Sequence, residues 1–480
     1  MRRRQALAAT SLVLLVLAWG HVDEIGVARS QTRPNLAVVS EDPYTNSNTY
    51  HRTEAEPDTA TDGSTVVATF QVGRAYTCGS SNIGWSVSRN AGKSWTDGFL
   101  PGTTVRATPP GPWIRITDPV VAYDAKHDTW LVETQATPKC DVPWKLLISR
   151  STDGARSFEE PLVIGPPKPT QQVDKPWITC DNAPTSPYFG NCYTAWIDFW
   201  YPDRFSWHPR AHALVSSDGG RTWTKSQISK GPCVHGIQLV VQPNGNVVMP
   251  FLEDCVGKQR TFVSTDGGGS YSGPYNMPLG NSRWNGVEGD LVSPPFMSVD
   301  VDGGGTIYAA WRDCMFRSSP QRCRQGDIVF STSNDGRRWT KLTRIPIDAR
   351  TSDADYFLPT LAVDPDTSGS SAHLGVLYYF YPQHHCDVKT CQLSVGFISS
   401  TDGGATWASP LQLAGPFKNT WLPYKDGGTP GYFVGDYFGL SFVDGKAIPV
   451  FTVAAERACE LGDITSCNTW EASATISLGT

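Results

Sequence analysis

Short apolar runs recur along this chain at regular intervals. They are Val66–Phe70, Trp130–Thr134, Tyr193–Ile197, Val247–Leu252, Ile307–Trp311, Leu374–Phe380 and Ala447–Thr452. Each is strand-length, rich in β-branched and aromatic residues, and bounded by Gly, Asn, Asp or Pro. That combination predicts β-strands joined by tight turns. Ahead of most of these runs stands Pro-x-x-x-x-Asp: Pro57/Asp62, Pro119/Asp124, Pro176/Asp181, Pro295/Asp300 and Pro359/Asp364. Gly439/Asp444 keeps the Asp without the Pro, and Ile237 to Gln242 fills the same slot in a fourth copy.

A second repeat keeps register with the first. Its copies are Ser88–Trp95, Ser151–Phe158, Ser216–Trp223, Ser264–Tyr271, a shortened Ser333–Trp339, and Ser400–Trp407. The pattern is Ser-x-Asp-x-Gly-x-Ser/Thr-aromatic, with Asn90 for Asp in the first copy. Asp accepts bonds from nearby backbone N–H groups and Gly takes positive φ, so each copy predicts a turn between two antiparallel strands. Together the repeats define seven units of about 60 residues, each with four strands. Such an array predicts an all-β, seven-bladed β-propeller, with six blades as the alternative. The last unit lacks an outer strand. Residues 35–40 are expected to supply it and close residues 29–480 into one domain, removing a free sheet edge.

Composition narrows the function classes. The 480 residues carry 40 basic and 46 acidic side chains, a net charge of −6, which is no footprint for nucleic acid. Arg2, Arg3 and Arg4 precede an apolar stretch from Leu12 to Trp19 and then small residues. Residues 1–28 therefore read as a secretory signal peptide, too short for stable membrane insertion, and the product as a secreted monomer. The 12 Cys suit an oxidising compartment. Local spacing suggests Cys180–Cys192, Cys233–Cys255, Cys314–Cys323, Cys386–Cys391 and Cys459–Cys467, leaving Cys78 for Cys140. No pair of CxxC units argues for zinc.

The repeat phase sorts residues by face. Those just before the first strands and just after the second strands share one end, opposite the octapeptide turns. That end collects Glu54, Glu56, Asp118, Asp174, Lys175, His235, Glu288, Asp355, Asp436 and Tyr437, with Arg74, Glu133 and Arg312. The ring predicts a polar pocket. No cofactor is expected, a structural calcium being the one ion such carboxylates could hold. Three long loops flank it. One carries Trp200 and Trp207, whose rings suit sugar faces, another Arg283 and Glu288, and the third Trp421, Tyr424 and Lys425.

The octapeptides resemble the Asp boxes of the sialidase superfamily. That resemblance implies a propeller and retaining hydrolysis of terminal sialic acids with a Tyr nucleophile. It places Tyr437, in Asp436-Tyr437-Phe-Gly-Leu440, as nucleophile with Glu288 as its base. Asp118 or Asp174 becomes the acid, and Arg312 and Arg283 bind the substrate carboxylate. Asp436, His235, Trp200 and Trp207 complete the expected glycan site. Cys391-Gln392-Leu393 stands where the family carries a third Arg. The sequence therefore points to a secreted glycosidase acting on a terminal acidic sugar. The alternatives are a non-catalytic propeller binding glycan or protein, and a polyuronide lyase.

Overall fold

The computed structural model describes residues 33–140, 144–165, 172–203, 206–229, 231, 233–282, 287–317, 323–427, 429–457, 459 and 463–479. The expected targeting segment, residues 1–28, lies outside the described residues. The described residues are all-β: strands joined by turns, with two three-residue 3₁₀ turns and no α-helix among them. Among the described residues no helix is long and apolar enough to cross a membrane.

Antiparallel meanders follow one another along the chain. Glu54–Asp62, Thr65–Arg74, Ser80–Ser88 and Thr96–Phe99 pair in sequence order. Arg115–Asp124, Thr129–Thr137, Lys145–Ser151 and Leu162–Gly165 do the same, and the Ser80–Ile116 pair joins these two meanders into one sheet. Next come Gln172–Cys180, Cys192–Asp203, Ser206–Ser216 and Thr224–Lys225. The following meander begins on two short strands, Val234–His235 and Val240–Val241, both paired with Val247–Glu253, and continues through Lys258–Ser264 and Ser270–Asn276. Ser298–Val301, Ile307–Asp313, Asp327–Ser333 and Thr343–Arg344 form a further sheet, and Asp355–Val363, Leu374–Tyr381, Gln392–Ser400 and Leu411–Lys418 another. Gly439–Val443, Lys446–Ala454 and Thr469–Ser473 end the chain, and Ala37–Val38 pairs with the last of them. The first strands touch in chain order, and Gly439–Val443 packs back on Glu54–Asp62.

This stacking explains why many strands are buried along their whole length. Ser80–Ser88 and Asp355–Val363 have no exposed position. A strand inside a sheet covered on both faces loses the alternation of a half-solvated one. The core lies between neighbouring sheets: Tyr308, Phe330, Tyr356, Leu361, Val376 and Tyr378 form one such layer.

The octapeptides close as turns. Ser216 Oγ donates to Asp218 Oδ1 at 2.8 Å and accepts Gly220 N–H at 3.0 Å. The N–H groups of Arg221 and Thr222 reach the same carboxylate, and Thr222 Oγ1 donates to its second oxygen at 2.6 Å. The same bonds recur around Asp153 and Asp402. In all, six disulfides form: Cys78–Cys140, Cys180–Cys192, Cys233–Cys255, Cys314–Cys323, Cys386–Cys391 and Cys459–Cys467. These are the pairings that local spacing suggested.

The first strands share one irregularity. Register slips between Ala55 and Asp58, Thr117 and Val120, Asp174 and Trp177, and Phe357 and Thr360. Each slip contains a residue-proline step. The residues before the prolines, Glu56, Asp118, Lys175 and Leu358, have φ of 60°, 50°, 51° and 49°. Proline lacks an N–H, so a bulge is where a strand tolerates it. The left-handed residue before it turns out of the ladder at some strain. In the fourth meander the corresponding kink is at Gly236, φ 59°, where a Cβ would collide with the Phe296 ring.

Candidate functional site

The bulged residues meet. Lys175 Nζ donates to Asp436 Oδ2 and lies 3.6 Å from Asp118 Oδ2 and 3.9 Å from Glu56 Oε1. Four meanders thus send one side chain each to a single hub, near where their first strands begin. The Lys175 side chain is 14% exposed and that of Asp436 5%. Glu56 is further fixed by Gln71 Nε2, which donates to its Oε2, and by the N–H of Asp436, which reaches its Oε1 at 3.1 Å. Thr117 Oγ1 donates to Asp118 Oδ1 at 2.8 Å. Among the described residues no hydrogen bond reaches Asp118 Oδ2 or Asp436 Oδ1.

More cations stand around the hub. Arg74 Nη1 donates to Gln71 Oε1 at 2.6 Å, and its guanidinium lies 4.6 Å from the Phe433 ring centre. The Lys425 ammonium lies 5.6 Å from the same centre. Lys425 sits on a small hairpin, Tyr424–Lys425 with Gly431–Tyr432. His235 Nδ1 is 3.3 Å from Asp254 Oδ2, and its ring meets Phe296 edge-on at 4.8 Å.

Burial and charge push these groups in opposite directions. Burial, and repulsion from Asp118, raise Glu56 to about 8 despite Lys175. Burial works against ionising Asp436, but Lys175 and Lys425 overcome it and hold its carboxyl below the usual range. Burial likewise opposes the Lys175 charge, and Asp118, Asp436, Asp174 and Glu56 outweigh it, keeping the ammonium charged. Burial raises Asp174 and lowers Lys425. One carboxyl near neutrality thus keeps its proton while a neighbour on the same ammonium stays ionised.

Of the residues expected from sequence, Asp118, Asp174 and Asp436 come together here, and His235 lies near Asp174 and Asp436. Tyr437 follows the hub directly, but its phenol donates to the Pro119 carbonyl at 3.0 Å and its ring packs edge-on against Trp177 at 5.4 Å. Burial first, then Glu56 and Asp118, push that phenol well above its ordinary value. Arg312 is bound to Asp355, Nη2 lying 3.2 Å from Oδ1 and 3.4 Å from Oδ2. No hydrogen bond or ion pair joins Glu288 to Tyr437 or Arg312 among the described residues. Arg283 and the side chains of Trp200 and Trp207 lie outside the described residues. Glu56, Lys175 and Arg74, expected on this polar face, and Lys425, expected on a flanking loop, join the hub without having been assigned a role in the sequence reading. For Glu56 and Lys175 the signal was the place before a Pro of the repeat, whose aim only the bulge explains. The cation at the centre of the carboxylates is a lysine. Among the described residues no three His, Cys, Asp or Glu side chains are grouped to hold a metal ion.

Two cavities lie along the first strands. A small one touches Lys175, Asp436, Tyr437, Trp177 and Gln238. A wide one of about 690 Å³ shares Trp177 and Gln238 with it and opens where the first strands end, on the side of the octapeptide turns.

No family model matches the chain, and no curated protein does. Solved structures similar to it include sialidases. A Hadza microbial sialidase is 14% identical, with a TM-score of 0.47, over 89% of this chain and 68% of that one. A Trypanosoma rangeli sialidase in complex with sialic acid is 11% identical, with a TM-score of 0.47, over 88% and 70%. A protein of unknown function from Dyadobacter fermentans is 16% identical, with a TM-score of 0.46, over 77% and 99%.

Proposed function

We propose that this chain is a secreted, seven-bladed, sialidase-like propeller that hydrolyses a glycosidic bond at the Lys175 hub. One observation carries the reading: a single ammonium is shared by Glu56, Asp118 and Asp436, and the protonation preferences of Glu56 and Asp436 are driven apart. Paired carboxyls of opposite preference are what acid-assisted glycoside cleavage needs. Glu56 is the proton-donating carboxyl, and Asp118 stands beside it on the same ammonium. Asp436 stays ionised and stabilises the positive charge that develops on the sugar. Lys425 and Arg74, beside the hub, suit the carboxylate of an acidic sugar.

In this reading Tyr437 positions the hub rather than attacking, because its phenol is committed to Pro119. The same observation, with Arg312 committed to Asp355, favours a second reading: a propeller that binds glycan without cleaving it.

Turnover of fluorogenic sialosides and a panel of other glycosides separates the two. The hydrolase reading expects measurable turnover, a kcat lowered about a hundredfold or more in Asp118→Asn and Lys175→Gln, and one little changed in Tyr437→Phe. No turnover on any substrate, with glycan binding retained, leaves the second reading standing.

A further inference from the structure

The octapeptide turns follow third strands, which run as the first strands do, so they lie at the far end from the Lys175 hub. The first turn departs from the pattern: it carries Asn90 where the other five carry Asp. Hydrogen bonding does not explain the change. Asn90 Oδ1 accepts Ser88 Oγ and Ser94 N–H, both at 3.0 Å, just as Asp218 accepts Ser216 Oγ and Thr222 N–H. Asn90 Nδ2 donates to Ser94 Oγ at 2.8 Å, in place of the bond that the Thr222 hydroxyl gives Asp218. Stability does not explain it either. Burial opposes the charges of Asp153 and Asp218, but hydrogen bonds from their turns hold both at about 2, so such a turn favours an ionised carboxylate. What Asn90 changes is the charge.

The surroundings of Asn90 are basic. Arg89 and Lys93 flank it and are exposed. Arg89 Nη2 donates to the Gly154 carbonyl of the second turn at 2.6 Å, and Arg156 Nη1 donates to the Asp153 carbonyl at 2.7 Å. A Cβ at Gly154 would stand 3.8 Å from Nη1 of each, so the two guanidinia are neighbours. The backbone fixes both forks while using few of their five donors. Among the described residues Arg89, Lys93 and Arg156 make no ion pair, whereas Arg150 is paired with Glu159 at 2.9 Å. The Asp153 carboxylate is engaged by the Ser151 and Ser157 hydroxyls and by the N–H groups of Arg156 and Ser157.

The basic line continues to the third turn. Lys93, Arg156 and Arg221 hold the same place in successive copies, where the fourth has Gly269 and the sixth Ala405. Arg221 repeats the Arg156 bond, Nη1 donating to the Asp218 carbonyl at 3.3 Å. Arg150 Nε donates to the Gly219 carbonyl at 2.7 Å and so links the second turn's strand to the third turn. The shortened fifth copy has arginines too, but Arg337 lies over the Tyr275 ring at 5.6 Å. Three linked turns thus carry a row of cations on a chain of net charge −6. A row suits a linear polyanion, and the weakly hydrated guanidinium forks onto oxyanions. Anionic lipid is read by polybasic segments beside a membrane helix or on an amphipathic one, and the described residues hold neither. We propose that the first three octapeptide turns bind a linear sulfated polysaccharide, with Asn90 removing the one carboxylate that would oppose it between Arg89 and Lys93. This face acts independently of any chemistry at the hub.

Surface plasmon resonance on the immobilised protein tests this with dextran sulfate, unsulfated dextran and phosphatidylserine vesicles. Dextran sulfate is expected to bind, less tightly as salt rises, and dextran is not. Arg89→Ala and Arg156→Ala should each weaken binding about tenfold, the equivalent of one charge-assisted hydrogen bond. Lys389→Ala, exposed at the other end of the molecule, should leave it unchanged. Asn90→Asp separates charge from folding: the melting temperature should stay the same or rise while binding falls about threefold. No binding of dextran sulfate, binding indifferent to Asn90→Asp, equal losses in Arg156→Ala and Lys389→Ala, or tighter binding to the vesicles overturns the proposal. None of these outcomes depends on glycosidase activity.

Discussion

Lys175 donates to Asp436 from a position 261 residues away in the chain, and this bond ties the third meander to the last. The same ammonium holds Asp118 and Glu56, so the hub is a tertiary clasp as well as the proposed site. Removing one partner of a buried ion pair leaves the others unpaired. Lys175→Met should therefore cost about 3–5 kcal/mol of stability, measured by urea denaturation. Asp436→Asn keeps an acceptor for Nζ and removes one negative charge, so it should cost less. Equal losses in the two variants would show that packing, not charge, holds the hub.

A second buried cluster makes stability depend on pH. Glu54 Oε1 accepts Ser40 Oγ at 2.7 Å, and its Oε2 accepts Glu471 N–H at 3.1 Å. These contacts join the N-terminal segment, the first meander and the last. Burial raises Glu54 to about 8 and Asp42 to about 7, and it holds Glu471 well above its ordinary value. The folded chain keeps these protons where the unfolded chain, with values of 4.5 and 3.8, has lost them. Their contribution is complete below the unfolded values and is lost as pH rises through the folded ones. The melting temperature should thus fall between about pH 5 and pH 8, and Glu54→Gln should flatten that slope. The turn carboxylates act in the opposite window. Hydrogen bonds from Thr406 and Ser400 hold Asp402 at about 2, so its contribution disappears as pH falls below 3.8 towards that value.

Much of this fold was legible in the chain because turn chemistry is local. The Ser-x-Asp-x-Gly turns declare themselves in eight residues, and cysteines a few positions apart find each other without help from the rest of the fold. The strand-start face was legible in outline, since the phase of the repeat puts Asp118, Asp174 and Asp436 at one end. What the sequence concealed was the bulge. Pro57, Pro119 and Pro176 are visible, but the left-handed turn that aims Glu56, Asp118 and Lys175 at one point depends on pairing with a distant strand. The commitments of Tyr437 to Pro119 and of Arg312 to Asp355 were hidden for the same reason: partner and residue lie on different sheets. The fourth first strand, split around Gly236, is likewise set by the Phe296 ring rather than by its own residues.

The octapeptide turns also lock neighbouring sheets together. Gly404 has φ of 87°, and a Cβ there would lie 2.6 Å from the Phe330 ring of the preceding meander. Both the backbone conformation and the contact forbid a side chain. Gly404→Ala should cost about 2 kcal/mol or more by denaturant titration, well above an ordinary surface substitution. Gly63→Ala is the control: its φ is 53° but nothing lies within 4 Å of the new Cβ, so only the backbone penalty remains. A similar cost at both positions would mean that the turn's fit against the adjacent sheet contributes nothing.

The six disulfides should not be equal in value. Cys78–Cys140 closes a loop of 62 residues and links the first meander to the second, whereas Cys386–Cys391 closes a loop of 5. In the chain-entropy account a cross-link restricts the unfolded ensemble more as its loop lengthens. Paired serine substitution at Cys78 and Cys140 should cost about 4 kcal/mol, and the same change at Cys386 and Cys391 about 2 kcal/mol. Guanidinium melts of the two variants measure the difference directly. Equal costs, or a larger one for the short loop, would show that the native packing around Cys386 and Cys391 outweighs chain entropy at that bridge.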